Sequence, residues 1–184
     1  MSDESSPGPG PGAGNGNGNG AATPPAGEAQ AERPQLSIRA QYVKDLSFEN
    51  PRAPQNFAAN AAPKMDISVS VNGKPYGEDA HEVDLQITAK AAVDETTVFL
   101  VELTYGGVFA ISGVPGEQMQ AVLMVECPRM LFPFARRVIA DCTRDGGYPP
   151  LMLEPIDFVQ MFLRHQQEQA ARQDAAAPPP PSNR

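Results

Sequence analysis

Two histidines, two cysteines and a scatter of carboxylates are the residues whose chemistry matters first, and their spacing argues against catalysis. His81 and His165 each lack a Cys, His or carboxylate at a ligand-forming interval, whereas a zinc site needs three or four converging donors. Cys127 and Cys142 show no CxxC spacing and lie in apolar, helix-patterned sequence, so packed, reduced thiols are expected. The glycines of GGVFAISGVPG (106–116) match neither GxxxxGK[ST] nor GxGxxG, which disfavours a phosphate cradle. Asp94-Glu95 reads as a turn rather than an acid/base pair. No enzyme, no metal site and no cofactor is expected.

One carboxylate pattern does stand out. In YVKDLSFENPRAP (42–54), Tyr42, Leu46 and Phe48 are even-numbered, while Asp45 and Glu49 are odd. Alternate residues of a strand share a face, so an apolar strip and two carboxylates are expected back to back.

The elements that must position them follow from periodicity. LSIRAQYVKDLSF (36–48) places Leu36, Ile38, Ala40, Tyr42, Leu46 and Phe48 at even positions, with Lys44 as the interruption and a candidate bend or edge. A long Pro-rich connection follows, and long ordered loops are frequently functional. KMDISVSVNG (64–73), HEVDLQITAKAAV (81–93) and DETTVFLVELTYGGVFAISG (94–113) continue the strand pattern, with turn chemistry at KPYGED and DE. Gly106-Gly107 suggests a bulge, or a bend that admits another backbone. The period then changes to three and four. EQMQAVLMVE (117–126) is helical, and Pro128 is expected to end or kink it. A second helix is expected over 129–145, with Pro133 tolerated near its first turn and Gly146-Gly147 as its stop. Leu131, Ala135, Val138, Ile139 and Cys142 form its apolar stripe. Asp157 caps a last helix carrying Phe158, Met161, Phe162 and His165 on one face. Strands followed by helices predict an α+β fold, a four-stranded antiparallel sheet with helices packed on one face.

Length and charge bound the rest. Of 184 residues, 1–35 are Gly/Pro/Asn-rich, contain no Val, Ile, Leu or aromatic residue, and are expected to be disordered. Residues 36–166 form the domain, and 167–184 a flexible tail. Fourteen basic against 22 acidic side chains give a net charge of −8, which disfavours nucleic acid and anionic membrane surfaces as partners. No apolar run approaches the roughly 20 residues that span a bilayer, so a cytoplasmic protein without direct membrane insertion is expected. The aromatics outside the dense middle of the domain, Phe57 in the long loop and Phe158 and Phe162 in the last helix, either complete the core or wall a groove for extended apolar segments.

YVKDLSFENPRAP, FLVELTYGGVFAISG, CPRMLFPFARRVIADC and GGYPPLMLEPIDFVQMF together resemble the bacterial export chaperone SecB, in register over about 36–166. The resemblance implies a homotetramer, a dimer of dimers with eight-stranded sheets outside and helices between. Leu131, Ala135, Val138, Ile139 and Cys142 would then be an assembly surface, as would Val101, Leu103 and Tyr105, the last replacing a commonly polar residue. It implies an ATP-independent holdase that keeps precursor proteins unfolded and passes them to the SecA motor. Asp45, Glu49 and Glu102 match the positions that receive the basic, zinc-bearing C-terminal tail of SecA, so zinc would belong to that partner. Phe48, Phe57, Phe158 and Phe162 would line the client groove. This chain has no tryptophan; small residues around Ala61 stand where some relatives carry one. The alternatives are an acidic docking adaptor for basic protein segments without holding activity, and an enzyme or small-ligand carrier on the same layout.

Overall fold

The computed structural model describes residues 34–55 and 62–176, all within one unit, Ala31–Arg184. Four strands, β1 (Gln35–Glu49), β2 (Lys64–Pro75), β3 (Ala80–Val93) and β4 (Thr96–Ser112), precede α1 (Gly116–Ala121), α2 (Cys127–Asp145) and α3 (Phe158–Ala176). The expected antiparallel four-stranded sheet is present, in the order β1-β4-β3-β2. β2, β3 and β4 form a meander with tight connections. One of these is helped by Gly77 in a left-handed conformation (φ 70°), another by Asp94 (φ 54°). β1 is different, because it pairs with β4 at the edge opposite β2. The residues that flank the β1–β2 connection, Asn50 and Pro63, therefore belong to opposite edges of the sheet, three interstrand gaps or about 14 Å apart.

β3 and β4 are buried on one face by strict alternation. Val83, Leu85, Ile87, Ala89 and Ala91 align with Val101, Leu103, Tyr105 and Phe109 beneath α2. Gly106 and Gly107 continue the register of β3 without a bulge, contrary to the expectation for that pair. They admit side chains, not backbone. A Cβ on Gly107 would lie 2.7 Å from Leu131 Cδ2, and one on Gly106 would lie 2.8 Å from the Tyr42 ring.

One irregularity of the β3–β4 pair lies at its end, between Ala91 and Ala92, and two belong to β1. Its register with β4 shifts between Ile38 and Ala40 and again between Val43 and Asp45, leaving Arg39 and Lys44 as inserted residues. A one-residue shift reverses the faces of everything beyond it. Leu36 and Ile38 lie opposite Ile111 and Phe109 on the helix side. Ala40 and Tyr42 lie opposite Val108 and Gly106 on the outer side. Leu46 and Phe48 return to the helix side opposite Leu103 and Val101. Tyr42 therefore does not share a face with Leu46 and Phe48, as simple alternation predicted. Lys44 is indeed the interruption.

The helices also depart from expectation in an instructive way. Pro128 does not end the first helix. A π-helical turn, Val122–Glu126, joins α1 to α2 directly before it. Proline lacks the N–H that an α-helix would direct to the fourth residue back, and the wider turn absorbs that missing bond. Pro133 then lies inside α2 rather than in a first turn, with its ring exposed. At the far end the stop is as expected. Gly147 takes φ 89° and donates to the Arg144 carbonyl at 3.0 Å, and Tyr148 donates to that of Thr143 at 3.0 Å. These are the two bonds of a Schellman terminus. Asp157 caps α3 as expected, accepting the Gln160 N–H at 3.0 Å. α3 continues to Ala176, past the boundary expected at 166.

The apolar stripe of α2 meets its own sheet. Leu131, Ala135 and Ile139 are fully buried within this one chain, as is Val101, while Leu103 and Tyr105 are nearly so. Their burial is against the chain's own sheet, whereas Val138 and Cys142 of the same stripe are only partly buried. Periodicity reports that a stripe is covered, not by what. The large apolar side chains left exposed are others, among them Met130 and Phe134 on α2 and Val43 and Leu46 on β1.

Candidate functional site

Among the described residues no helix covers the outer face of the sheet, which is polar. After the second shift in β1, Asp45 lies opposite Thr104, Ser47 opposite Glu102 and Glu49 opposite Leu100. Asp45 and Glu49 are thus the two diagonal neighbours of Glu102, about 7–8 Å away in an antiparallel pair. All three are exposed, and among the described residues none makes an ion pair. Three carboxylates without an ion pair, with Lys90 on β3 the one cationic diagonal neighbour of Glu102, leave this part of the face net acidic and favour a polycationic ligand. Leu100, half-buried between Glu49 and Lys90 on the same face, puts an apolar residue into the patch. In sequence it is hidden, because its neighbours Phe99 and Val101 are apolar as well.

A second group of charges on this face is fully compensated. Lys44 donates to Glu82 Oε1 and to Asp84 Oδ2, each at 2.7 Å. Lys74 reaches Glu82 Oε2 at 2.8 Å, and the Tyr42 hydroxyl donates to Glu82 Oε1 at 2.6 Å. Bonds from Lys44, Lys74 and Tyr42 hold the Glu82 carboxyl down from its ordinary 4.5 to about 2. The bond to Glu82, with burial, pushes the Tyr42 phenol up to about 12. Lys44 is raised by its bonds to Asp84 and Glu82. The outer face thus divides into a neutralised part at Glu82 and Asp84 and an open acidic part at Asp45, Glu49 and Glu102.

The other candidate surface is an open cavity of about 730 Å³ at the end of the sheet. Its walls come from the residues after β1 (Arg52, Gln55), the start of β2 (Pro63, Met65), the β3–β4 turn with Phe99, and Gly147–Leu151 after α2. An aromatic row supports it: Phe48 stacks on Phe99 at 6.0 Å between ring centroids, and Phe99 meets Tyr148 at 4.9 Å. The Tyr148 hydroxyl donates to Asn50 Oδ1 at 2.9 Å. Gly146 leaves room for the Phe48 ring.

Of the four aromatics expected to wall a groove, the three among the described residues do not converge there. Phe48 backs the cavity through Phe99. Phe158 is in the core, 1% exposed, with its ring edge-on to Phe132. Phe162 borders a separate cleft of about 150 Å³ with Val69, Val71, Met124, Met161 and His165. Phe57 lies outside the described residues. Phe99, Tyr148, Met65 and Leu151 were missed, although an aromatic directly after a double-glycine stop, in YPPL, is a readable signal. Burial raises both thiols, Cys127 to about 12, which suits packing rather than reactivity. Among the described residues no cluster of His, Cys, Asp or Glu is arranged to hold a metal ion, and no helix is long and apolar enough to cross a membrane.

An antiparallel four-stranded sheet with helices on one face, an acidic outer face and an apolar cavity at its end defines a SecB-like module. The fold matches the Mycobacterium tuberculosis SecB-like chaperone solved with a ChAD peptide from the HigA1 antitoxin. That match has a TM-score of 0.52 at 18% identity and covers 66% of this chain and 91% of that one. Residues 29–169 match the family of preprotein translocase subunit SecB. The protein-export protein SecB of Mesorhizobium japonicum is 56% identical over 131 residues, 71% of this chain and 78% of its own. That of Maricaulis maris is 50% identical over 143 residues, covering 77% and 83%. The chain belongs to the SecB family, and its role is that of a chaperone in protein export.

Proposed function

We propose that this protein is a cytoplasmic, ATP-independent holdase that keeps secretory precursors unfolded and delivers them to SecA. The observation that carries this reading is the segregation of two surfaces: an open cavity with an aromatic row at the sheet's end, and unpaired carboxylates on its outer face. A cavity walled by Phe99, Tyr148, Met65 and Leu151 suits extended apolar segments with little sequence preference. The same fold in the mycobacterial chaperone accommodates a peptide. A ligand that binds only unfolded chains opposes folding by mass action and needs no nucleotide. Asp45, Glu49 and Glu102 receive the basic, zinc-bearing tail of SecA, leaving the cavity free for the client. Assembly as a dimer of dimers multiplies weak client contacts into avidity, and the exposed Met130, Phe134, Val43 and Leu46 supply apolar surface for it.

The experiment follows refolding of a slowly folding precursor without nucleotide. A delay that grows with chaperone concentration is expected. Refolding at the unassisted rate in several-fold excess of chaperone would overturn the holdase reading and leave the acidic docking adaptor.

A further inference from the structure

We infer that Lys44 is a positioning residue for the acidic face: its bulge, clamped to Glu82 and Asp84, is what brings Asp45 and Glu49 onto the same side as Glu102. This inference rests on the outer face being a docking surface for a basic segment.

The argument starts from parity. Between the two register shifts of β1, even-numbered residues face outward, as Tyr42 does opposite Gly106. Without an inserted residue at 44, that parity would persist along the strand. Leu46 and Phe48 would then point outward, and Asp45 and Glu49 would point toward the helices. The insertion reverses the order, so that Asp45 faces outward with Thr104 and Leu46 faces inward with Leu103. A single residue therefore decides whether the patch exists.

An inserted residue leaves the ladder locally unpaired, so something must hold it. Here the ammonium of Lys44 bonds two carboxylates at 2.7 Å each, and their side chains are only 9% and 10% exposed. The dependence is mutual. Glu82 keeps Lys74 and Tyr42 if Lys44 is lost. Asp84 has no other ion pair among the described residues, and its Oδ1 is already buried without a hydrogen-bond partner. Gly106 completes the arrangement. A Cβ there would crowd both the Tyr42 ring, at 2.8 Å, and Asp84 Oδ1, at 3.3 Å, so glycine clears the path by which β1 reaches Glu82.

The test uses the full chain and a fluorescent oligo-lysine peptide at low salt, comparing Lys44→Met, Lys44→Arg and Lys74→Met. Removing a positive charge beside an acidic face should by itself tighten binding of a cationic peptide. Positioning predicts the reverse: Lys44→Met weakens binding roughly threefold to tenfold, the worth of two exposed charge contacts. Lys44→Arg retains binding. Lys74→Met removes the same charge beside Glu82 without touching the bulge, and binds at least as well as the parent. In the Lys44→Met background, Asp45→Ala and Glu49→Ala add no further loss, because those carboxylates have left the face. Thermal melting of each variant separates this from unfolding.

Binding by Lys44→Met equal to or tighter than the parent would overturn the inference, as would undiminished losses from Asp45→Ala in that background. If Asp45→Ala, Glu49→Ala and Glu102→Lys leave peptide binding unchanged in the parent itself, the docking reading fails and this inference falls with it.

Discussion

Thr143 on α2, fully buried, accepts the backbone N–H of Leu151 at 2.9 Å. Its own hydroxyl donates back along the helix to the carbonyls of Ile139 and Ala140. One side chain thus fastens the segment that walls the cavity to the helix that covers the core. Thr143→Val keeps the shape and removes the acceptor. The expected cost is about 1–3 kcal/mol for the N–H left unsatisfied, read by denaturant melts. Client affinity should fall with it, as the Tyr148–Leu151 wall loosens.

Assembly and folding should separate along α2. Leu131→Ala opens a cavity in a fully buried site and is expected to cost about 2–5 kcal/mol of chain stability. Phe134→Ser, at a side chain 40% exposed, should leave folding nearly intact and weaken the proposed tetramer in light scattering. An unchanged tetramer in Phe134→Ser would show that the exposed apolar residues of α2 do not meet another copy.

The Glu82 cluster makes a pH signature. Its folded pKa, about 2, lies below the ordinary 4.5. Its contribution is therefore complete above about pH 4.5 and disappears as pH falls toward 2. That contribution is on the order of 2 kcal/mol after allowance for screening at the partly exposed Lys44. Tyr42 acts in the opposite sense: its folded value of about 12 exceeds the ordinary 10, so its contribution is lost as pH rises from 10 to 12. Glu82→Gln should flatten both limbs of a plot of melting temperature against pH.

The acidic face should act independently of the cavity. Asp45→Ala or Glu102→Lys is expected to weaken binding of the SecA tail several-fold while the refolding delay of a precursor is unchanged. Rising salt should weaken the parent's tail binding as exposed charges are screened. Equal loss of tail and client binding would indicate a damaged fold instead.

Much of this architecture is legible in the chain, for identifiable reasons. β2 and β3 alternate without interruption, and Asp157 and Gly147 mark helix ends through local backbone demands, so these elements can be read directly. β1 cannot, because its faces are decided by Arg39 and Lys44, and a bulge is stabilised by distant partners, here Glu82 and Asp84. The stripe on α2 is visible, but its partner is not, since a sheet and a second helix select the same spacing. Asp45 and Glu49 were placed on a common face correctly. Tyr42 was assigned to the wrong side for want of the bulge. The cavity was hardest to foresee, because Met65, Phe99 and Tyr148 come from three separate segments.

The crossing from β1 to β2 has a temporal consequence. β2, β3 and β4 pair through short hairpins, whereas β1 reaches β4 only by closing a loop of about half the domain, a slower event in chains of mixed topology. The acidic patch is shared between β1 and β4, so it should mature last, and pulse-labelled hydrogen exchange would show β1 amides protected after those of β3. On that order, an unfinished copy offers Glu102 without Asp45 and Glu49. The surface would then report its own maturity, and a partner needing all three carboxylates would pass over copies still being made.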